Sequence, residues 1–516
     1  MSDEIKNGNQ NFSENPKAKQ KQLGAFNVAM MAFVSVLAFN NIPRCFYQMG
    51  YSAIPVLIAA AILFFIPYSF MISEYGAALK DDAGGIYNWM EAAKGIKYAF
   101  IGVIMWYIGQ LIWMIQTFIS IWIHFSALLF GGDTTSNWSF FGLSATAFIG
   151  LLAILVVILM TFVAARGLDS VIKITDIGGI SVLALNLVLL VCGIIVLVLN
   201  HGHVAQPITA SAFFHSPNPN YQSTGGIIAF LAFAVLAYGG AETAASVTDQ
   251  TKDAEKNFPK GMIGAAVIIT IAYCLGIFVV GLFTNWSKMN SQINMGNAAI
   301  VVMKNLGYTL AIGFGAGKAA AVTVSEWFAR IVGLSLFLTY LSGLVQTLYC
   351  ALKAVVQGTP EGLWPAFIRK VDEKTGILKN GLYLQCGIIV VFIALVSFGG
   401  KGVNEFFNML LTMTTVACTL PYMFVSGAFP AFKKKANIKR PFVFYKTHRS
   451  TVIWSCIVTF TIGFSNIFCI IEPALNGDVA TTVWSIAGPV IFAIIGLVMY
   501  QHYEKGVKSG KIPSQQ

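Results

Sequence analysis

Charge is what this chain has least of. Only 11% of its 516 residues are charged, while 56% are hydrophobic. Soluble domains carry about a quarter charged residues, so composition excludes an ordinary water-soluble fold and indicates one built into a bilayer. Signatures of catalysis are absent too. There is no G-x-x-x-x-G-K phosphate loop, no zinc-protease helix and no nucleophile elbow. The six histidines are scattered, with His201-Gly202-His203 as a weak pair. The eight cysteines (Cys45, Cys192, Cys274, Cys350, Cys386, Cys418, Cys456 and Cys469) contain no C-x-x-C pair. They read as small buried hydrophobes, with no disulfide framework and no metal site. Nothing supports an enzyme, and no cofactor is expected.

What the chain does have is apolar runs. A helix needs about 20 apolar residues to cross the hydrocarbon core. Twelve spans are expected, at 23–49, 52–79, 98–130, 145–165, 174–199, 225–247, 261–284, 325–352, 382–399, 404–431, 451–474 and 483–503. The first is too long for a cleaved signal peptide, lacks a small-residue cleavage site and carries Pro43 and Arg44.

The net charge of +11 is placed by topology. Basic residues recur at Lys17–Lys21, Lys80–Lys97, Arg166–Lys173, Lys252–Lys260, Lys353–Lys379, Lys433–Arg449 and Lys505–Lys511. The opposite side has few, among them Lys288, Lys304, Lys318 and Lys401. This alternation follows the positive-inside rule and puts both termini in the cytoplasm. The basic residues orient the protein and touch anionic lipid, and no nucleic-acid partner is expected.

The polar residues 1–22 read as a disordered cytoplasmic lead. Residues 23–199 form a first five-helix unit. An external loop, 200–224, carries the turn-rich Ser216-Pro217-Asn218-Pro219-Asn220. A second five-helix unit, 225–431, includes the external segment 285–324, where Ala298–Met303 suggests a surface helix. A basic cytoplasmic loop, 432–450, precedes spans eleven and twelve at 451–503, and 504–516 form the tail. Five spans per unit is odd, so the second unit enters from the opposite side, which is the inverted-repeat plan.

Two spans are broken. Span one is interrupted at Asn40-Asn41-Ile42-Pro43, where proline removes an N–H and clashes with the preceding turn. The half-helix starting there offers a positive dipole end to a carboxylate. Span six is interrupted at Gly239-Gly240-Ala241-Glu242. Glycine leaves helical geometry cheaply, and carbonyls freed near Tyr238 suit an ammonium group. Glu242 is an ionisable residue within a span and hence a candidate for proton coupling, with a structural hydrogen bond as the alternative. Matching breaks in two halves point to a transport site. Arg44 either pairs with a substrate carboxylate or Glu242, or snorkels to the outer interface. Tyr107, Gln110, Trp113 and Gln116 lie at near-helical spacing on span three, either walling a cavity or simply packing. Glu74 is expected to pair with a loop base, and Arg330 to be structural.

Gly84-Gly85-Ile86-Tyr87-Asn88-Trp89, the Tyr238–Glu242 segment and Lys256-Asn257-Phe258-Pro259-Lys260 together resemble the amino acid–polyamine–organocation transporter superfamily over nearly all of residues 22–503, in the branch near bacterial glutamate:γ-aminobutyrate antiporters. The nearest likeness is to a little-characterised group of inner-membrane permeases, through Met49-Gly50-Tyr51-Ser52-Ala53-Ile54-Pro55 and Gln357-Gly358-Thr359-Pro360. The resemblance implies an all-α integral membrane fold: twelve transmembrane helices in a leucine-transporter-like 5+5 inverted repeat with helices one and six broken. It implies alternating access by an exchanger or proton symporter of amino acids or their derivatives, with a transporter-like ligand sensor as the alternative. It implies that Asn40, Asn41 and Ile42 hold the substrate carboxylate and that Ala237, Tyr238 and Gly239, beside Gly240, hold its amino group. Glu242 and Tyr107 fall where proton-dependent relatives carry an acid and a tyrosine. The chain departs from the pattern at the span-one break, where the usual Gly-Ser-Gly type is replaced and Arg44 is unusual. It also has a short tail after Tyr503 and no lysine inside span five to stand in for sodium.

Overall fold

Pro43 decides where the first span breaks. Its ring clashes with the carbonyl four residues back, at Phe39, but is tolerated in a first helical turn. In the computed structural model, helix α1 (Ala25–Val36) therefore ends before that point and α2 (Asn41–Met49) begins just after it. Leu37–Asn40 are non-helical. The unwound stretch thus precedes the expected Asn40–Pro43, because a proline disrupts the turn before itself and starts the turn that contains it.

The structure describes residues 23–82, 84–140, 142–288, 297–400, 416–475 and 477–512. The expected lead 1–22, residues 289–296 of the external segment and the first part of span ten, residues 401–415, lie outside the described residues.

Beyond α2, a tight turn at Gly50 leads through α3 (Ala53–Ala60) and a π-helical turn into α4 (Ile66–Ala78). Helix α5 (Ile86–Lys94) opens with the Gly84–Trp89 motif, and α6 (Ile96–Phe130), α7 (Ala145–Ala165) and α8 (Leu168–Leu199) follow. After the short α9 (Ala210–Phe214), α10 (Thr224–Ala237) stops at Tyr238. The chain resumes not as an α-helix but as a 3₁₀ helix over Ala241–Gln250. Runs of that kind beyond three or four residues are uncommon and often mark hinges. Then come α11 (Ala254–Phe283), α12 (Ala298–Gly313), α13 (Lys318–Leu352), α14 (Ala366–Arg369), α15 (Lys379–Phe398), α16 (Leu420–Lys434), α17 (His448–Leu475) and α18 (Val479–Lys508). Ala298–Met303, expected at the surface, are mostly buried.

Among the described residues the fold is all-helical, with ten helices long and apolar enough to cross a membrane. Their outer faces expose Leu155, Phe162, Val198, Phe460 and Val498. Apolar belts of this size are at home only against lipid or another apolar surface. Inside, small residues let backbones approach. A Cβ on Gly178 of α8 would meet Ser342 of α13, and one on Gly276 of α11 would meet Ile42 of α2. Glu74, fully buried on α4, pairs with Lys433 at 2.5 Å and accepts the backbone N–H groups of Phe444 and Tyr445 at 2.7 and 2.8 Å. It pins the basic loop after α16 to the bundle. Arg330 contacts Glu326 at 3.7 Å and the Trp327 ring, in keeping with a structural role.

Candidate functional site

Two unwound stretches meet at the centre of the bundle. Gly240 has φ +113°, a geometry that favours glycine, and a Cβ there would stand 2.7 Å from the Ser35 carbonyl oxygen at the end of α1. Only glycine lets the two breaks touch. Tyr273 of α11 bridges them. Its hydroxyl donates to the Val36 carbonyl at 2.6 Å and accepts from the Ala38 N–H at 3.2 Å and from Asn41 Nδ2 at 3.1 Å. The Ala237 carbonyl lies 3.4 Å from the same oxygen.

Beside the breaks lies a cavity of about 190 Å³. The first broken helix lends it Val34 and Ser35, and the second lends Leu236, Gly239, Gly240 and Thr243. Helix α6 contributes Gln110 and Trp113, α13 contributes Gly343 and Thr347, the turn into α16 contributes Cys418 and Thr419, and α16 itself contributes Tyr422. Among the described residues, no charged side chain is in this lining. Its size falls below the roughly 300 Å³ at which drug-sized pockets begin, which suits a metabolite of about amino-acid size.

Glu242 stands directly behind the wall, buried. Its Oε1 accepts from Trp106 Nε1 at 3.0 Å and from the Tyr422 hydroxyl at 3.1 Å, and its Oε2 accepts from the Gly240 N–H at 3.2 Å. Tyr422 therefore joins the carboxyl group to the cavity. A second polar knot ties both broken helices to α13: Gln346 Nε2 donates to Ser35 Oγ at 2.9 Å and to Thr243 Oγ1 at 3.0 Å, and those two hydroxyls are 2.8 Å apart.

The sequence candidates are distributed unevenly around this site. Gly239 and Gly240 line the cavity. Asn40 is in the unwound stretch, with Oδ1 buried and unpartnered among the described residues. Asn41 bonds Tyr273 rather than facing the cavity. Ile42 is fully buried against Gly276. The N–H groups of Asn41 and Ile42, expected to be free, bond the carbonyls of Ala38 and Phe39 at 2.8 and 3.0 Å. Tyr238 turns into the core, stacked on Phe65 and edge-on to Tyr273. Tyr107 points away as well and donates to Gln385 Oε1 of α15 at 2.7 Å. One residue moves a side chain about 100° around a helix, so Trp106 and not Tyr107 reaches Glu242. Arg44 does not pair with Glu242. Its guanidinium lies 4.1 Å over the Phe233 ring of α10, its Nε has no partner among the described residues, and it is half-buried. Gln110 and Trp113 line the cavity, whereas Gln116 is exposed.

Sequence reasoning missed Ser35, Trp106, Thr243, Tyr273, Gln346, Thr419 and Tyr422. The signal that could have found Gln346 is a long polar amide amid an apolar span, a costly placement that requires partners.

Known proteins resemble this chain. The inner membrane transporter YjeM of Escherichia coli is 44% identical over 486 residues, covering 94% of this chain and 96% of that protein. The aspartate/glutamate permease AcaP of Lactococcus lactis is 24% identical over 494 residues, covering 93% and 95%. Among solved structures, a point mutant of the Eremococcus coleocola manganese transporter superposes with a TM-score of 0.57 at 11% identity over 93% of this chain and 94% of that one, a likeness of fold alone. The amino acid permease family model matches residues 23–500. Family, relatives and apolar helices together support a multi-pass membrane protein concerned with amino-acid transport, and the chain belongs to the amino acid permease family.

Proposed function

We propose that this protein is a secondary active transporter that moves amino acids or close derivatives across the cytoplasmic membrane by alternating access, as exchanger or proton-coupled symporter. Twelve spans, with spans one to five and six to ten as inverted repeats, both termini cytoplasmic and spans eleven and twelve added outside, complete the reading. The observation that carries it is the neutral cavity of about 190 Å³ walled by both broken helices. The break in span one serves the substrate carboxylate through backbone around Leu37–Asn40. The carbonyls near Ala237–Gly240 serve its amino group. Differential binding of substrate to outward- and inward-facing states supplies the bias between them. Arg44, on the outer half of span one, meets the substrate before the cavity does.

Glu242 couples proton uptake to occupancy through Tyr422, the group it shares with the cavity wall. Radiolabelled amino-acid uptake into proteoliposomes at several pH values tests this. Uptake is expected to depend on pH in the parent and to lose that dependence in Glu242→Gln. A variant that keeps the parent's pH profile removes Glu242 from coupling. Saturable binding without accumulation would replace transport with the sensor reading.

A further inference from the structure

The cavity wall has a polarity of its own, set by where its hydroxyl protons go. A hydroxyl has one proton and two lone pairs, so a group that spends its proton inside the wall can only accept from the cavity. Thr419 Oγ1 has two such acceptors, the Val416 carbonyl at 3.0 Å and Asn466 Oδ1 at 2.5 Å. If the Asn466 amide is turned over, its nitrogen donates to Thr419 and the threonine proton still goes to Val416. Tyr422 gives its proton to Glu242 at 3.1 Å. Thr243 gives its own to the Gly240 carbonyl at 2.8 Å, which leaves Ser35 as donor to Thr243. Thr243 has both lone pairs taken, by Gln346 Nε2 and Ser35 Oγ. The hydroxyls of Ser35, Thr419 and Tyr422 therefore keep lone pairs for the cavity, and among the described residues no cation is in the lining to offset them.

Thr419 and Tyr422 are three residues apart and both line the cavity beside Cys418, with the Tyr422 hydroxyl close against Gly239 of the span-six break. We infer that they form a side-chain subsite of hydrogen-bond acceptors, which selects neutral amino acids whose side chains end in a donor, a hydroxyl or a carboxamide, over those ending in a carboxylate or a methyl group. Asn466, on α17 and so outside the proposed repeats, is the positioning residue that holds Thr419. This rests on the cavity being the substrate site, as proposed above. It separates this chain from the specificity named for AcaP.

Two near-isosteric pairs test it on the purified full-length protein: glutamine against glutamate, and threonine against valine. Affinities are read by thermal shift, since a ligand that binds the folded state raises its melting temperature. Glutamine is expected to bind about tenfold more tightly than glutamate, and threonine about tenfold more tightly than valine, the scale of one satisfied hydrogen bond. Thr419→Val should bring threonine and valine within about twofold by weakening threonine alone, while Thr419→Ser keeps the preference. Glutamate binding as tightly as glutamine overturns the subsite and leaves the transport reading standing. A Thr419→Val protein that still prefers threonine overturns the assignment to Thr419. The parent's comparison needs no variant, so it decides even if the valine variant fails to fold. Binding of no amino acid at all overturns the transport reading and the subsite together.

Discussion

The two ends of the broken helices are held differently. On the basic side, the 3₁₀ half of span six is clamped. Leu23 donates to the Gln250 carbonyl at 3.0 Å and accepts from the Lys252 N–H at 2.9 Å, joining the starts and ends of the two broken spans. Lys353 grips both carboxylate oxygens of Asp249 at 2.6 and 2.8 Å, and Gln250 bonds Tyr349. Gly85 wedges against the Ala245–Ser246 backbone, where a Cβ would stand 2.6 Å away. On the opposite side, Arg44 Nε, Asn40 Oδ1, Gln48 Oε1 and His124 Nδ1 are buried without partners among the described residues. Buried polar groups are normally satisfied. Unpartnered buried groups occur on the basic side too, at Asn88 Oδ1 and Ser246 Oγ, so the difference rests on the clamp itself: the Leu23 bridge, the Lys353–Asp249 pair and the Gln250–Tyr349 bonds that tie down the 3₁₀ half of span six.

The largest expected effect breaks the clamp. Lys353 is 4% exposed and Asp249 20%. Removing one member of a buried pair strands the other charge, at about 3–5 kcal/mol, whereas replacing both with apolar groups is often close to neutral. Lys353→Met should lower the melting temperature and expose a cysteine placed at Ser246 to a membrane-impermeant thiol reagent from the basic side. Lys353→Met with Asp249→Leu should recover most of the melting temperature. A single variant as stable as the parent would show that the pair is not the clamp.

Next comes the hinge where the two ends meet. Gly240→Ala meets the Ser35 carbonyl and forces a non-glycine residue to φ +113°. Left-handed or otherwise sparse backbone geometries cost about 1–3 kcal/mol, and here a clash adds to that. Uptake should fall more than tenfold while Gly264→Ala, where a Cβ would meet nothing, leaves both uptake and stability near the parent's. Equal losses would mean that Gly240 is replaceable and the breaks need not touch.

The same comparison explains what the sequence could tell. Gly239, Gly240 and Pro43 are legible because their backbone chemistry acts locally, whatever surrounds them. Proline even dictates which side of itself unwinds, once its clash with residue 39 is followed through. Long apolar runs and the spacing of basic loops are likewise local. The polar wall was not legible. Serine and threonine occur throughout these helices, and Thr419 acquires meaning only through Asn466, 47 residues away, as Tyr422 does through Glu242, 180 residues away. Trp106 and Tyr107 are adjacent in sequence, so helical phase alone decided which met the acid. No residue in Ala241–Gln250 announces a 3₁₀ helix. Its geometry follows from being held at both ends.

The side opposite the basic loops should give a smaller response than the clamped one. The Arg44 guanidinium over Phe233 is a cation–π contact on the order of 1 kcal/mol. Arg44→Ala should leave the melting temperature within a few degrees of the parent and, if the proposed role of Arg44 holds, raise the apparent KM for amino acids, since the charge proposed to meet their carboxylates is gone. Arg44→Lys keeps the charge but not the planar stack. A recovery of KM in the lysine variant assigns the effect to charge, and none assigns it to stacking on Phe233. Arg44→Ala losing as much stability as Lys353→Met would erase the difference between the two ends.

The smallest effect lies on the basic side itself and isolates burial from charge. Lys80 and Glu255 form a pair at 2.6 Å, as short as Lys353 to Asp249, but each is 41% exposed. The hydrogen bond to Glu255 raises the Lys80 ammonium group above its ordinary value. Its contribution is therefore fully present at neutral pH and is lost only as pH rises through that raised value. Salt screens exposed pairs, and many contribute nothing measurable. Glu255→Gln should leave the melting temperature and the Ser246 cysteine's accessibility unchanged at about 150 mM salt, with any difference appearing only at low ionic strength. Should Glu255→Gln open the basic side as Lys353→Met does, proximity of charge rather than its burial would be what holds the clamp.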